Sequence, residues 1–153
     1  MRNNPEHRIH TKAVAYLRKS FARKGFGRRE CPFFHTANES DVPPSYRAKL
    51  ARLGVSPGVP DLIIVSPTSP ASYVDVIGGV SFPGAALEIK APKGRLTADQ
   101  RRWLDTWRSA GFAAEWTRGH VATAHQLHVW GYIDSKDRDQ WVSWAKTNDE
   151  DAA

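Results

Sequence analysis

The sequence predicts an α/β protein, one mixed sheet with helices packed against it, and three observations carry that expectation. Two short apolar runs, Leu62–Val65 and Ala85–Ala91, read as buried strands, the first bounded by Pro60 and Pro67. Helical periodicity precedes them between Glu6 and Lys24 and follows them between Thr97 and Gly111. At 153 residues the chain is long enough to bury one core without staples. Strands interleaved with helices in this way hide their apolar faces as a sheet covered by helices.

In the first helix Ile9, Ala13, Tyr16, Leu17 and Phe21 recur at three- and four-residue steps. Asn4 is placed to cap it, Pro5 suits its first position and Gly25 ends it. Glu6 and His10 fall one turn apart, so they share a face. Cys31–Asn38 passes from apolar to polar and is expected as a short strand ending near Asn38. A short helix, Ser45–Leu53, is expected next, with Gly54 behind it. Tyr46, Leu50 and Leu53 would form its buried side, and Arg47, Lys49 and Arg52 a basic rim.

Between the two buried strands, Ser66–Pro83 is an insertion rich in Pro, Gly and Ser. Within it Tyr73–Ile77 reads equally as an edge strand or a loop. After the second strand, Thr97-Ala-Asp-Gln100 matches a capping box that opens a helix with Trp103, Leu104 and Trp107 as its apolar stripe. Phe112–Thr117 alternates as a further strand, and Val121–Trp130 is expected as a helix packing through Ala124, Leu127 and His128. The expected domain is residues 1–133. Residues 134–153 read as a polar C-terminal extension, a short helix around Trp141, Val142 and Trp144, with a frayed end from Asn148.

Lys and Arg number 22 against 16 Asp and Glu, for a net charge of +6. Nine of the cations lie in the first thirty residues, which points to a polyanionic partner such as nucleic acid. A single cysteine, Cys31, excludes an intrachain disulfide and any cysteine-based zinc site. No apolar run approaches the length of a membrane span, and the N-terminus lacks the apolar stretch of a secretory signal. The expectation is a cytoplasmic protein with no membrane partner.

Chemistry concentrates between Gly58 and Lys90. Side chains alternate along a strand, so Glu88 and Lys90 share one face while Leu87 and Ile89 take the other. Two ionisable groups on a buried strand are costly unless they are paired or bind something. Asp61, at the mouth of the neighbouring strand, adds a second carboxylate. Two carboxylates and an ammonium in one small volume suit metal-assisted hydrolysis. Mg²⁺ keeps several waters and needs one or two carboxylates plus substrate oxygens. Two neighbouring carboxylates favour the charged form of Lys90, so an orienting ammonium is expected there in preference to a free base. By spacing, Gln100 reads equally as a capping-box residue and as a site residue. His35, His120, His125 and His128 read as core or surface residues, not ligands.

Together these residues resemble the VRR-NUC (virus-type replication-repair nuclease) family of the PD-(D/E)xK superfamily. The resemblance rests on Glu6 early in the first helix, His35-Thr-Ala-Asn38, Gly58-Val-Pro-Asp61, and Glu88-Ile-Lys90 running into the Gln100-bearing helix. The long 66–83 insertion is the main departure. The resemblance implies a restriction-endonuclease-like fold and a Mg²⁺-dependent DNA endonuclease, with Mn²⁺ substituting. Asp61, Glu88, Lys90 and Gln100 would be its catalytic residues. Asp61, Glu88 and the Ile89 carbonyl would hold the metal, and Glu6 would be an additional site residue. Arg8, Lys12, Lys19, Lys93 and Arg95 are the expected DNA contacts. The resemblance further implies a homodimer acting on branched DNA such as four-way junctions, in a bacterial or phage-infected cell. The competing readings are a sequence-reading restriction-type enzyme and a non-catalytic nucleic-acid-binding protein on the same fold.

Overall fold

The structure, a computed structural model, describes residues 4–36, 43–69 and 81–151. Its elements run α1 (Pro5–Arg23), β1 (Phe33–His35), α2 (Pro44–Arg52), β2 (Leu62–Ile64), β3 (Ala85–Lys90), α3 (Ala98–Ser109), β4 (Ala113–Arg118), α4 (Gly119–Val129) and α5 (Ser135–Thr147). The strands form one mixed sheet in the order β1-β2-β3-β4. The β1–β2 and β2–β3 pairs are antiparallel, and β3–β4 is parallel. A parallel neighbour needs a crossover, and α3 supplies it.

Alternation along the strands divides the interior in two. Leu62, Ile64, Ala85, Leu87 and Ile89 face a main core shared with Ile9, Ala13, Leu17 and Phe21 of α1, Ala124 and Leu127 of α4, and Trp141 of α5. Ile63, Ala86 and Ala114 face the other way, onto Leu104 of α3. The sheet is therefore a layer between α3 on one side and α1, α4 and α5 on the other. Leu17, Phe21 and Leu62 are fully buried, each contributing about 1.5–3 kcal/mol in transfer free energy.

Helix α1 starts as its sequence dictates: Pro5 takes the first turn and the Asn4 side chain accepts the Glu6 N–H at 3.0 Å. Strand β1 ends at His35. Asn38 and Tyr73–Ile77 lie outside the described residues.

Two expectations are corrected. The stripe of α2 is not buried, since Tyr46 and Leu53 are 44% and 71% exposed. Helical spacing tells which residues share a side, not whether another element covers it. Nor is the C-terminal segment an extension with a frayed end. Trp141 and Ala145 are buried in the core. Asp137, also fully buried, accepts the Lys19 ammonium at 2.7 Å and the Arg23 guanidinium. Further on, Asp151 accepts the His120 and Val121 N–H groups at 2.6 and 2.9 Å, capping α4. The segment looks polar because its buried acid and caps are polar, and each has its partner elsewhere in the chain.

Candidate active site

The antiparallel register pairs Leu62 with Leu87. Carried one residue further, it sets Asp61 opposite Glu88, just beyond the end of β2. Asp61 is fixed there from several directions. Its Oδ2 accepts the Ile89 N–H at 2.9 Å. Its own carbonyl accepts the Thr36 N–H at 2.9 Å and His35 Nδ1 at 2.8 Å, which requires the proton on Nδ1. The Thr36 hydroxyl donates to the Pro60 carbonyl at 2.6 Å. The end of β1 thus clamps the Pro60–Asp61 turn.

The other side of that turn lies against α3. Gly58 has φ +82°, and a Cβ there would fall 2.7 Å from Asp99 backbone and side-chain atoms and 2.8 Å from Gln100 N. Only glycine permits both the conformation and the approach. Trp103 Nε1–H reaches back to the Pro57 carbonyl at 3.1 Å. The first carboxylate and the first turn of α3 are therefore one assembly.

Glu88 is fully buried on the α3 face of β3. Its Oε1 accepts from the Lys90 ammonium at 2.7 Å and from Gln100 Nε2–H. Its Oε2 is buried with no hydrogen-bond partner among the described residues, a costly arrangement for a carboxylate oxygen. Burial first, then the negative charge of Asp61, push the Glu88 carboxyl up to about 7, with the Lys90 contacts offsetting only part of this. For Lys90, burial acts downward, but the hydrogen bond and charge of Glu88 and the charges of Glu6 and Asp61 outweigh it. The ammonium is held above its ordinary pKa. In that state the ammonium donates to the Glu88 carboxylate.

Gln100 does both things its spacing allows. Its Oε1 accepts the Thr97 N–H at 2.9 Å, completing the capping box, while its Nε2 donates to Glu88. It reaches the carboxylate and not Lys90. Glu6 arrives from the opposite side of the sheet on α1. Its Oε1 accepts the Ala91 N–H at 3.3 Å and stands 3.8 Å from Lys90 Nζ. The structure thus brings Asp61, Glu88, Lys90, Gln100 and Glu6 together.

Sequence reasoning missed the positioning part of His35 and Thr36. His35 was expected as an ordinary core or surface residue; the usable signal was its place in the His35–Asn38 segment. Beside it, His10 packs edge-on at 4.2 Å between ring centroids. Burial first, then the His35 and His7 charges, lower the His10 pKa to about 4.

Three of the expected DNA contacts have other partners. Arg8 pairs with Glu150, Lys12 lies 3.6 Å from the Trp144 ring centroid, and Lys19 pairs with Asp137. The basic face of α1 is largely engaged with the C-terminal segment. Lys93 and Arg95, exposed in the turn after Lys90, have no acidic partner among the described residues.

Among the described residues no group of three His, Cys, Asp or Glu side chains could hold a metal. The donors that converge are two carboxylates and one carbonyl. A strand residue directs its N–H and C=O to the same edge, so the Ile89 N–H bond to Asp61 places the Ile89 carbonyl on that edge too. Hard oxygen donors, few in number, are what Mg²⁺ takes while keeping most of its waters. The unpartnered Glu88 Oε2 and the two opposed carboxylates are the features a cation would satisfy. The residues present fit Mg²⁺.

Among the described residues no helix is long and apolar enough to cross a membrane. The family model of the VRR-NUC domain matches residues 16–121, a stretch that holds Asp61, Glu88, Lys90 and Gln100 but not Glu6 or α5. No curated protein matches this chain. A solved structure described as a VRR_NUC domain protein is similar with a TM-score of 0.59 at 19% identity, over 88% of this chain and 94% of that one. That likeness shows the fold, a mixed sheet flanked by helices. With the family model covering more than half its length, this chain belongs to the VRR-NUC family, nuclease domains of the PD-(D/E)xK type.

Proposed function

We propose that the protein is a Mg²⁺-dependent DNA endonuclease that acts as a homodimer on branched DNA such as four-way junctions, in the cytoplasm of a bacterial or phage-infected cell. The observation that carries the nuclease reading is the Glu88 carboxylate. It is buried, set against Asp61 and, among the described residues, hydrogen-bonded on one oxygen only. Asp61, Glu88 and the Ile89 carbonyl would hold Mg²⁺, with Mn²⁺ able to replace it. The cation would lower the pKa of attacking water and polarise the phosphate.

The chain's own groups do the rest. Lys90, charged and anchored by Glu88, orients the attacking water and offsets charge gathering on the phosphate. Gln100 holds Glu88 in one rotamer. Glu6 steadies the Lys90 end of β3 from the far side. Lys93 and Arg95 flank this end of the strand and meet the DNA backbone. Preference for branched DNA and the homodimer rest on the resemblance set out above, since paired cuts across a symmetric junction require two sites related by a two-fold axis.

The test is cleavage of a labelled four-way junction, a linear duplex and a single strand of matching sequence, in Mg²⁺, Mn²⁺ or EDTA, with Glu88→Ala beside the native chain. Metal-dependent cutting of the junction alone, lost in Glu88→Ala, is expected. Cutting of all three substrates would remove the structure preference. Binding without cutting in either metal would remove the nuclease. A pure monomer in sedimentation with junction DNA would remove the paired cut.

A further inference from the structure

Most cations of α1 are engaged by the C-terminal segment, but Arg18 is not, and it lies with two more unengaged cations beyond the helix. Arg8, Lys19 and Arg23 make ion pairs with Glu150, Asp134 and Asp137, and Lys12 covers Trp144. Arg18, by contrast, is exposed on α1, and Arg28 and Arg29 are exposed in the segment between α1 and β1. Among the described residues none of the three makes an ion pair. They converge with Cys31 and Phe33 on one open cleft of about 530 Å³.

The cleft is built rather than incidental. Arg28 and Arg29 occupy the middle of a turn closed by the Glu30 N–H bond to the Gly27 carbonyl at 2.9 Å. The Cys31 thiol donates to that same carbonyl at 3.6 Å. Glu30, the acid nearest in sequence, pairs with neither arginine. Three guanidiniums without a carboxylate, around a concave surface, make an anion site, and the planar fork of arginine matches phosphate in particular.

Its place in the fold names the source of the phosphate. Phe33 begins edge strand β1 and His35 ends it beside Asp61. The cleft therefore lies at the opposite end of the strand from the carboxylates. Two residues of strand span about 7 Å, so the cleft is at least two nucleotide steps away at about 3.4 Å per step. We infer that the Arg18–Arg28–Arg29 cleft is a second DNA-backbone site, gripping a phosphate of the strand a few nucleotides from the one cut at Glu88. The inference rests on the nuclease reading, because it takes DNA as the ligand.

Cys31 is the only cysteine in the chain and lines the cleft, so its alkylation rate reports occupancy directly. The experiment follows N-ethylmaleimide labelling of the native chain in EDTA, alone, with a saturating short duplex, or with inorganic phosphate. Fluorescence anisotropy of the duplex is recorded in parallel, and cleavage of the same duplex and of junction DNA is assayed in Mg²⁺. Bound duplex should slow labelling about tenfold or more, and inorganic phosphate should not. In Arg18→Gln/Arg28→Gln/Arg29→Gln the slope of log K against log salt should fall by about 0.9, the loss of one phosphate contact. Unchanged Cys31 labelling while the duplex is bound, or an unchanged salt slope, overturns the inference and leaves the nuclease reading standing. Equal protection by inorganic phosphate overturns it in favour of a small-anion site. DNA that is neither bound nor cut brings down the nuclease reading, and this inference with it.

Discussion

Gln100 ties Glu88 to the start of α3: its Nε2 donates to Glu88 Oε1 while its Oε1 holds the Thr97 N–H. Because the capping box fixes the amide's orientation, the donor is aimed at the carboxylate before any ligand arrives. The helix cap and the site are the same side chain.

That double role separates two substitutions. Gln100→Ala loses both bonds and should cost about 1 kcal/mol of stability, in the range of lost caps, together with most of the cleavage rate. Gln100→Glu keeps an acceptor for Thr97 N–H but sets a carboxylate against Glu88. It should leave α3 capped and still lower cleavage by about tenfold or more, since one lost donor in a site is worth about 1.4 kcal/mol or more. Thermal melts and single-turnover rates decide. Full activity in Gln100→Glu would show that the Glu88 bond is only structural.

Mg²⁺ should stabilise the folded chain, because its donors converge only on folding. At a hundred times its Kd the gain would be about 2.7 kcal/mol, readable as a rise in Tm. Asp61→Ala and Glu88→Ala should lose that rise, and Lys90→Ala should keep it while losing rate. Both carboxylate variants should bind DNA as well as the native chain or better without metal, since they carry less negative charge. A Mg²⁺-dependent Tm rise that survives in both would move the metal elsewhere.

Much of this site was legible in the sequence. Glu88 and Lys90 could be placed because alternation on a strand is rigid, Asp61 because it stands at the mouth of the neighbouring strand, and the capping box located Gln100 within one turn. The same local rules failed wherever the partner lay far along the chain. Nothing near Lys19 announces that Asp137, 118 residues on, will accept it, so the basic face of α1 read as a DNA surface. Nothing near Tyr46 or Leu53 shows that their side of α2 stays exposed. The positioning part of His35 was missed because its bond is to a backbone carbonyl 26 residues away.

Gly58→Ala tests the coupling between the first carboxylate and α3. The new Cβ would meet Asp99 and Gln100 backbone at 2.7–2.8 Å in a chain segment with φ +82°. The left-handed conformation alone costs about 1–2 kcal/mol for a residue with a Cβ. The contact must also push the Pro57–Asp61 turn off α3. The expected result is a fall in Tm together with loss of at least about tenfold in cleavage, since positional errors at a site are amplified in rate. A variant that is less stable but fully active would mean that Asp61 is positioned by β1 alone.

The Asp137 cluster predicts how stability follows pH. Asp137 is buried, which by itself would raise its pKa. The hydrogen bonds and charges of Arg23 and Lys19 outweigh that, and the carboxyl sits below the ordinary Asp value of 3.8. A carboxyl depressed in the folded state binds fewer protons there than in the unfolded chain between the two pKa values. Its stabilisation is therefore complete above the unfolded value and is lost as pH falls through the folded one. Asp137→Asn keeps the shape and removes the charge, and at neutral pH should cost about 1.5–3 kcal/mol, as for hydrogen bonds to a charged group. Lys19 and Arg23 are 49% and 44% exposed at their side chains and regain water when the acid is gone, which keeps the loss below that of a stranded buried charge. Urea unfolding can be followed by tryptophan fluorescence, since Trp141 stacks on Tyr16 with 5.2 Å between ring centroids. The native and Asp137→Asn chains should converge in stability as pH drops below about 4. A gap that stays constant from neutral to acid pH would mean that the cations do not stabilise the ionised form, and that α5 is held to α1 by Trp141 and its apolar neighbours alone.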